Sequence, residues 1–291
     1  MFLSVIVIAT LIFITGCGKE DTAPAQADAE GEEKSGDAGM ATSYEDGFYF
    51  AQEDEFNART GWKSTVSLEV KGGKIVSAEW NAANVNSGEA KRSQSESGAY
   101  GMVENGDAQA PWVEQAKAVE EALLEAQDPA SLTYNEDGYT DAVSGVSIHI
   151  NDFVETVEKA LSRGPVGRGM YEDGYYHAEY DEFNHGWKDY VDLTVIAGYI
   201  VTAHWNAYPE EGEMHKYEYS KEGNYGMVEN GGAQAPWWEQ VDLAEAHLLD
   251  VQDPTKIEYL DEDGHVDSIS GVTIHVKELF SLAEKALEDA R

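Results

Sequence analysis

Two short segments of the sequence combine hydroxyl side chains with a glycine just ahead of a predicted helix. The first runs from Asp141 to Ser147 (DAVSGVS), and the second runs from Asp267 to Thr273 (DSISGVT). A helix N-terminus offers free backbone N–H groups and the positive end of the helix dipole, which together favour a phosphate. Because Ser-Gly turns before helices are also common structural features, the pattern alone leaves phosphate binding and a purely structural turn open.

Both segments belong to a duplication that covers most of the chain. Four further motifs recur at offsets of 125 to 127 residues. They begin at the following residues: YEDG at Tyr44 and Tyr171, GWK at Gly61 and Gly186, YGMVENG at Tyr100 and Tyr225, and AQAPW at Ala108 and Ala233. The sequence therefore predicts two tandem domains, 44–161 and 171–291. The stretch 162–170, which contains Gly and Pro, is the predicted linker.

Each repeat has the pattern of a small α+β domain. In the first repeat, alternating apolar residues over 66–70, a Gly-Gly turn and an apolar run over 75–80 predict a β-hairpin. Apolar residues at helical spacing over 112–126 predict a helix that an Asp-Pro dipeptide ends. A second helix follows the SGVS segment, with Asn151 and Asp152 as candidates for its N-cap. Hairpins and helices in separate blocks favour the α+β class.

Charge and cysteine content exclude several functions. The formal net charge is −37, with 56 acidic side chains against 19 Lys and Arg, so the chain lacks the basic surface that nucleic acid or anionic lipid requires. Cys17 is the only cysteine, which excludes an intramolecular disulfide and a cysteine-rich metal site. His149 and His275 lie in different repeats, so we expect each to pack near its helix rather than to bind a metal.

The N-terminus is typical of an exported lipoprotein. Residues 1–16 carry no charged side chain and have the length of a secretory signal rather than of a membrane-spanning helix. The four residues that end at Cys17 (ITGC) resemble the bacterial lipoprotein cleavage box, which predicts a lipid anchor on Cys17 and a solvated tether over 17–43. An uncleaved anchor is the alternative, and no Lys or Arg precedes the apolar run. The predicted location is the extracytoplasmic face of the cell membrane.

The pattern Asp-x-x-Ser-Gly-x-Ser/Thr near the end of both repeats resembles the FMN-binding domain family, which includes the peripheral flavin subunits of sodium-pumping and Rnf-type respiratory complexes. In that family the last hydroxyl forms a phosphoester with FMN, and a separate FMN transferase installs it from FAD. The resemblance implies that Ser147 and Thr273 carry covalent FMN. The sequence departs from the pattern in two ways: Val146 and Val272 stand where the family usually has Ala, and Ser147 replaces the commoner Thr.

The resemblance also implies a wider cofactor-binding set. Besides Ser147 and Thr273, this set contains Asp141, Ser144, Gly145, Asp267, Ser270 and Gly271 from the motifs, and Tyr100, Gly101, Met102, Trp112, Tyr225, Gly226, Met227 and Trp237 from the aromatic segments. We expect Trp80 and Trp205 to pack in the cores. Because the repeats are acidic and no basic cluster lies near the motifs, a covalent bond rather than charge would retain the FMN.

A lipoprotein with two such domains is similar to surface flavoproteins of bacterial extracellular electron transfer. This implies an electron carrier rather than an enzyme, and no hydrolytic set of side chains is visible. Its partners would be the FMN transferase, a quinol-linked membrane donor and an extracellular acceptor or reductase. Two alternatives stay open: a flavin-free surface lipoprotein that acts as a binding module or antigen, and a dedicated electron donor to one surface reductase.

Overall fold

The computed structural model describes residues 43–106 and 108–291, so the predicted signal segment, Cys17 and the tether up to residue 42 lie outside the described residues. The elements of the first repeat are β1 (Gly47–Gln52), β2 (Trp62–Lys71), β3 (Lys74–Asn84), α1 (Lys91–Glu96), α2 (Met102–Gly106), α3 (Trp112–Ala126), a 3-10 turn (Pro129–Ser131) and α4 (Asn151–Arg163). Those of the second repeat are β4 (Gly174–Glu179), β5 (Trp187–Ile196), β6 (Tyr199–Pro209), α5 (Lys216–Lys221), α6 (Trp237–Val251) and α7 (Lys277–Ala286).

Each repeat contains one three-stranded antiparallel sheet. The strand order is β1-β2-β3 in the first sheet and β4-β5-β6 in the second, and both sheets have a register shift late in the middle strand. The predicted hairpin is confirmed as β2 and β3, joined at Gly72 and Gly73, whose φ values of 61° and 74° favour glycine. The α+β class predicted from the sequence is therefore confirmed.

The long helix of each repeat covers the outer edge of its sheet. Strand β3 is an edge strand, and two side chains of the α3 region hydrogen-bond its free backbone groups. Glu120 Oε1 accepts from the Trp80 N–H at 2.7 Å, and the Gln127 amide pairs with both the N–H and the carbonyl of Ile75 at 2.8 Å. These bonds satisfy the unpaired edge and fix the position of the helix on the sheet.

The predicted N-cap of α4 is wrong. The N-cap residue is Ile150 rather than Asn151 or Asp152, and no side chain caps the helix. Ile150 is fully buried, and its N–H donates to the Gly138 carbonyl at 2.8 Å, while the Asn151 amide donates to Asp152. Burial of an apolar side chain at the helix entry therefore prevails over the capping preference of the next two residues.

Each repeat has its own apolar core between the sheet and the helices. In the first repeat, Trp80 packs with its ring centroid 5.1 Å from that of Trp112 and 5.2 Å from that of Phe153. In the second repeat, Trp205 lies 5.2 Å from Trp237 in the same edge-on arrangement. Trp80 and Trp205 are 3% and 2% exposed, which confirms that they are core residues.

The two repeats pack against each other. Phe50 of the first repeat stacks on Tyr199 of the second, with ring centroids 4.7 Å apart. The Ser87 hydroxyl donates to the Thr202 hydroxyl at 3.0 Å, and the Thr194 hydroxyl donates to the Gly88 carbonyl at 2.7 Å. The stretch that joins the repeats also hydrogen-bonds to both of them, and 42–291 forms one compact unit. The repeats are thus held by direct contacts as well as by the linker.

The longest described helices, α3 and α6, have 15 residues each. Within 43–106 and 108–291, no helix is both long enough and apolar enough to cross a membrane.

Candidate functional site

The first repeat contains an open cleft of about 260 Å³ beside the SGVS segment. Its lining comes from seven parts of the repeat: the loop between β1 and β2, the start of β2, the middle of β3, the start of α1, the loop around Tyr100, the start of α3, and the segment that leads into α4. Trp62, Tyr100 and Trp112 provide aromatic walls, and Ser147 lies at the edge of the cleft as an exposed residue. The sheet and two helices therefore converge on one hydroxyl group.

The second repeat contains an equivalent cleft of about 370 Å³. Trp187, Tyr225 and Trp237 occupy the positions of the three aromatic residues in the first cleft, and Thr273, which is also exposed, takes the place of Ser147. Both volumes are close to the lower end of the range found for small-molecule sites, roughly 300–1,000 Å³. The duplication thus preserves a whole cleft and not only a sequence motif.

A buried glutamine positions the hydroxyl in each cleft. Gln240 is 1% exposed, and its Oε1 accepts hydrogen bonds from the Thr273 N–H at 2.7 Å and from the Thr273 hydroxyl at 3.2 Å. The Gln240 amide group donates to the Ala235 carbonyl at 2.9 Å, which fixes the side chain's orientation. Gln115 makes the same two contacts to Ser147 at 2.7 and 3.2 Å. The hydroxyl proton therefore points to the glutamine, and the oxygen is held at the cleft.

One lysine lies among the aromatic rings of each cleft. Lys91 Nζ is 5.0 Å from the ring centroids of Tyr100 and Trp112, and Lys216 Nζ is 4.5 Å from that of Trp237. Cation–π attraction favours this placement. Burial lowers the pKa of Lys91 to about 8 and also lowers the pKa of Lys216, since desolvation disfavours the charged amine. The sequence predicts no basic cluster near the motifs, and the structure places one lysine among the aromatic rings of each cleft.

Eight of the sixteen predicted cofactor-binding residues line the clefts. They are Tyr100, Met102, Trp112 and Ser147 in the first repeat and Tyr225, Met227, Trp237 and Thr273 in the second. Gly101 and Gly226 line separate, adjacent depressions. The other six lie exposed in the loops before α4 and α7 and do not line the clefts: Asp141, Ser144, Gly145, Asp267, Ser270 and Gly271.

The motif glycines have a conformational role. Gly145 and Gly271 adopt φ values of 81° and 87°, in the left-handed region that other L-residues rarely occupy. Two residues after each glycine, the N–H of Ser147 or Thr273 donates a hydrogen bond to the buried glutamine of its repeat. Glycine at these positions therefore allows the loop to bring Ser147 and Thr273 to the clefts.

The two histidines next to the motifs also line the clefts. His149 packs on Tyr139 with ring centroids 4.3 Å apart, and His275 packs on His265 at the same distance. In the part of the chain that the structure describes, no three His, Cys, Asp or Glu side chains are grouped closely enough to hold a metal ion.

Four residues of the site were not predicted from the sequence: Gln115, Gln240, Lys91 and Lys216. A signal for them was present, because each pair recurs at an offset of 125 residues: each glutamine is the third residue after the tryptophan of AQAPW, and each lysine precedes the predicted Tyr-Gly segment. Since polar side chains on a solvated surface diverge readily between repeats, identical polar residues at equivalent positions indicate a constraint on both copies.

Two solved structures from clostridia match part of this chain. No family model and no curated protein matches it. One of the two structures is the solution NMR structure of a protein from Clostridium thermocellum, which is 53% identical to this chain over the matched residues. The match covers 40% of this chain and 90% of that protein, and the TM-score is 0.33. A crystal structure of a protein from Clostridium perfringens shares 24% identity, with 42% of this chain and 88% of that protein covered, at the same TM-score.

Each of these matches has about the length of one repeat. Both structures were determined as structural-genomics targets, and neither name states a ligand or an activity.

Proposed function

We propose that the protein is a membrane-anchored, extracytoplasmic electron carrier with FMN bound covalently through phosphoester bonds to Ser147 and Thr273. The observation that carries this proposal is the duplicated cleft in which an exposed hydroxyl faces an aromatic-walled cavity. It agrees with the resemblance of the two Asp-x-x-Ser-Gly-x-Ser/Thr segments to the FMN-binding domain family. The lipid anchor on Cys17 rests on the sequence alone.

The residues of the clefts fit FMN. Aromatic walls suit a planar ring system, because offset and edge-on contacts between rings are favourable. The lysine in each cleft, which lies over the Tyr100 ring in the first repeat and over the Trp237 ring in the second, would offer a positive charge to an anionic group. Ser147 and Thr273 are accessible to solvent, which a transferase needs in order to reach their hydroxyl groups. FMN, when bound, would supply reversible electron transfer.

The roles of the chain's own residues follow from the contacts. Gln115 and Gln240 accept hydrogen bonds from the attachment loop and hold it in place. Tyr100 and Tyr225 shield one side of each cleft from water, and burial raises the pKa of both phenols, which therefore stay neutral. A covalent bond retains the cofactor outside the cell, where a dissociated cofactor would be lost to dilution.

Under this proposal the carrier receives electrons from a quinol-linked donor in the membrane and passes them to an extracellular acceptor or reductase. A tether of about 26 residues would have an r.m.s. reach of roughly 25–30 Å, which would allow the folded part to move between such partners. An FMN transferase acts on the protein before it carries electrons.

Fluorescence of the denatured protein on a gel tests the proposal, because only a covalently bound flavin remains after denaturation. The full chain, exported by a host that contains an FMN transferase, should fluoresce under ultraviolet light. The Ser147→Ala/Thr273→Ala double variant should not fluoresce. A matched control is Ser144→Ala/Ser270→Ala, which removes the other pair of motif hydroxyl groups, both outside the clefts, and should keep the signal.

Two results would contradict the proposal. A wild-type chain without fluorescence would favour the flavin-free binding module, and fluorescence that persists in the Ser147→Ala/Thr273→Ala variant would place the flavin elsewhere. Loss of the signal in the control variant alone would move the attachment to Ser144 and Ser270.

A further inference from the structure

The two clefts differ in charge at one buried position. Ser64 in the first cleft and Asp189 in the second lie two residues after the equivalent tryptophans of β2 and β5, and they are 5% and 8% exposed. Each accepts a hydrogen bond from the indole of the core tryptophan: Trp80 Nε1 donates to Ser64 Oγ at 2.6 Å, and Trp205 Nε1 donates to Asp189 Oδ1 at 3.0 Å. The framework is thus conserved while a hydroxyl is exchanged for a carboxyl.

The other charged residues of the clefts add to this difference. The first cleft is lined by the cations Lys91 and Arg59 and by the carboxylates Glu53 and Asp152, which balance each other. The second is lined by the following charged residues: Lys216, Asp189 and Glu278. The lining of the second cleft has no counterpart of Arg59, so it contains two carboxylates and one cation. With histidines counted as neutral, the first cleft is neutral and the second carries one net negative charge.

Asp189 lies beside a cation and an indole donor. Burial raises the pKa of its carboxyl above the ordinary value, and the positive charge of Lys216 and the hydrogen bond from the Trp205 indole oppose that rise. An ionised carboxylate at a buried position acts on its neighbours through a lower effective dielectric constant than an exposed carboxylate does. Asp189 is therefore a buried difference in fixed charge between the clefts.

Reduction of a flavin adds negative charge, so a nearby carboxylate disfavours it and a nearby cation favours it. We propose that an FMN on Thr273 has a more negative reduction potential than an FMN on Ser147, and that electrons within the chain move from the second repeat to the first. This inference rests on the proposed function. In the transfer, the reduced group in the second cleft loses two electrons and one proton, and the oxidised group in the first cleft gains the same number, so each reduction adds one negative charge and no further reactant is needed.

Direct contacts join the two repeats that contain the clefts. Phe50 and Tyr199 stack at 4.7 Å, and two hydroxyl-mediated hydrogen bonds join the repeats as well. Because the two clefts belong to one compact unit, a difference in their potentials acts across a spacing that the fold fixes.

Chains loaded at one site test the inference by a spectroelectrochemical titration of the bound flavin. The Ser147→Ala chain carries FMN only on Thr273, and the Thr273→Ala chain carries it only on Ser147. We expect the midpoint potential of the Ser147→Ala chain to be the more negative of the two. Equal potentials, or the reverse order, would overturn the inference.

An exchange of the buried residue assigns the cause. Asp189→Ser in the Ser147→Ala chain should shift the potential in the positive direction, and Ser64→Asp in the Thr273→Ala chain should shift it in the negative direction. Asp189→Asn keeps the size and the acceptor of the indole hydrogen bond, so it should reproduce the positive shift even if the serine variant folds poorly. Asp263→Asn removes one exposed carboxylate of the second repeat outside the cleft and should leave the potential unchanged.

The outcomes separate this inference from the proposed function. Chains without any bound flavin would contradict the proposed function itself. Loaded chains whose potentials do not respond to Asp189→Ser or Asp189→Asn would leave the carrier function in place and overturn only the inference about its direction.

Discussion

Gln240→Ala should weaken the attachment loop of the second repeat and reduce its flavin loading. The side chain makes four hydrogen bonds: its Oε1 accepts from the N–H and the hydroxyl of Thr273 and from the Ile274 N–H, at 2.7, 3.2 and 3.2 Å, and its amide donates to the Ala235 carbonyl at 2.9 Å. The alanine variant removes all of them from a residue that is 1% exposed.

The magnitude follows from these contacts. A typical internal hydrogen bond contributes about 0.5–1.5 kcal/mol, and a buried group that loses its partner costs about 1–3 kcal/mol. The Thr273 hydroxyl and N–H lie near the surface, where water can replace the glutamine, so only part of the sum is lost. We expect Gln240→Ala to lower the free energy of unfolding by about 2–3 kcal/mol.

Urea unfolding of the full chain measures the stability, and intact-mass analysis of the exported chain measures the loading of each site. The matched variant Gln115→Ala makes the same change beside Ser147. We expect each variant to lose flavin from its own repeat while the other repeat keeps it. Full loading of Thr273 in a Gln240→Ala chain with unchanged stability would refute the role of the glutamine.

Four further predictions concern stability. Lys91→Met should stabilise the chain at pH 7 by about 1–2 kcal/mol, because it removes a buried amine whose pKa in the folded chain, about 8, lies below the ordinary 10.5. Between these two pH values the unfolded chain binds more protons than the folded chain, so the stability of the wild type rises with pH. Urea unfolding should therefore show that the gain from the variant shrinks as pH rises from about 8 to about 10.5. Glu245→Gln should stabilise by ~1 kcal/mol at pH 8, because the raised pKa of Glu245 makes its ionisation unfavourable in the folded chain, and this cost grows as pH rises. Glu120→Gln should instead destabilise the chain by a similar amount, since it leaves Arg92, whose guanidinium lies 2.7 Å from the Glu120 carboxylate, without its charged partner. Changes in the free energy of unfolding with the same sign for both variants at pH 8 would contradict this reasoning. A double-mutant cycle of Phe50→Ala and Tyr199→Ala should give a coupling energy of about 1 kcal/mol, and zero coupling would argue against the stack between the repeats.

The local patterns predicted the hairpin and the two long helices of each repeat, but not the first strand or the short helices. Alternation over 66–70 and the Gly-Gly turn fixed the hairpin, and helical spacing with an Asp-Pro end fixed α3, whose last residue is Ala126. The helix entry at Ile150 was missed, because its cause is burial against a distant part of the repeat, which no local pattern encodes. The stacking of Phe50 on Tyr199 could not be predicted for the same reason.

The candidate site was predicted in part. Ser147 and Thr273 and the tryptophans of the AQAPW motifs do line the clefts. Ser144 and Ser270 do not, because the positive φ of the glycine that follows each of them turns the chain between the two hydroxyl groups of the motif. Lys91 is separated from Ser147 by more than fifty residues of sequence, and only the folded repeat brings it among the same aromatic rings.

The central claim is that two hydroxyl groups carry FMN, and intact-mass analysis of the exported full chain tests it most directly. Four chains co-expressed with an FMN transferase should be compared: wild type, Ser147→Ala, Thr273→Ala and the double variant. The account predicts two phosphoester-linked FMN groups on the wild-type chain, one on each single variant and none on the double variant. A wild-type chain without any added flavin mass, or a double variant that still carries one, would contradict it.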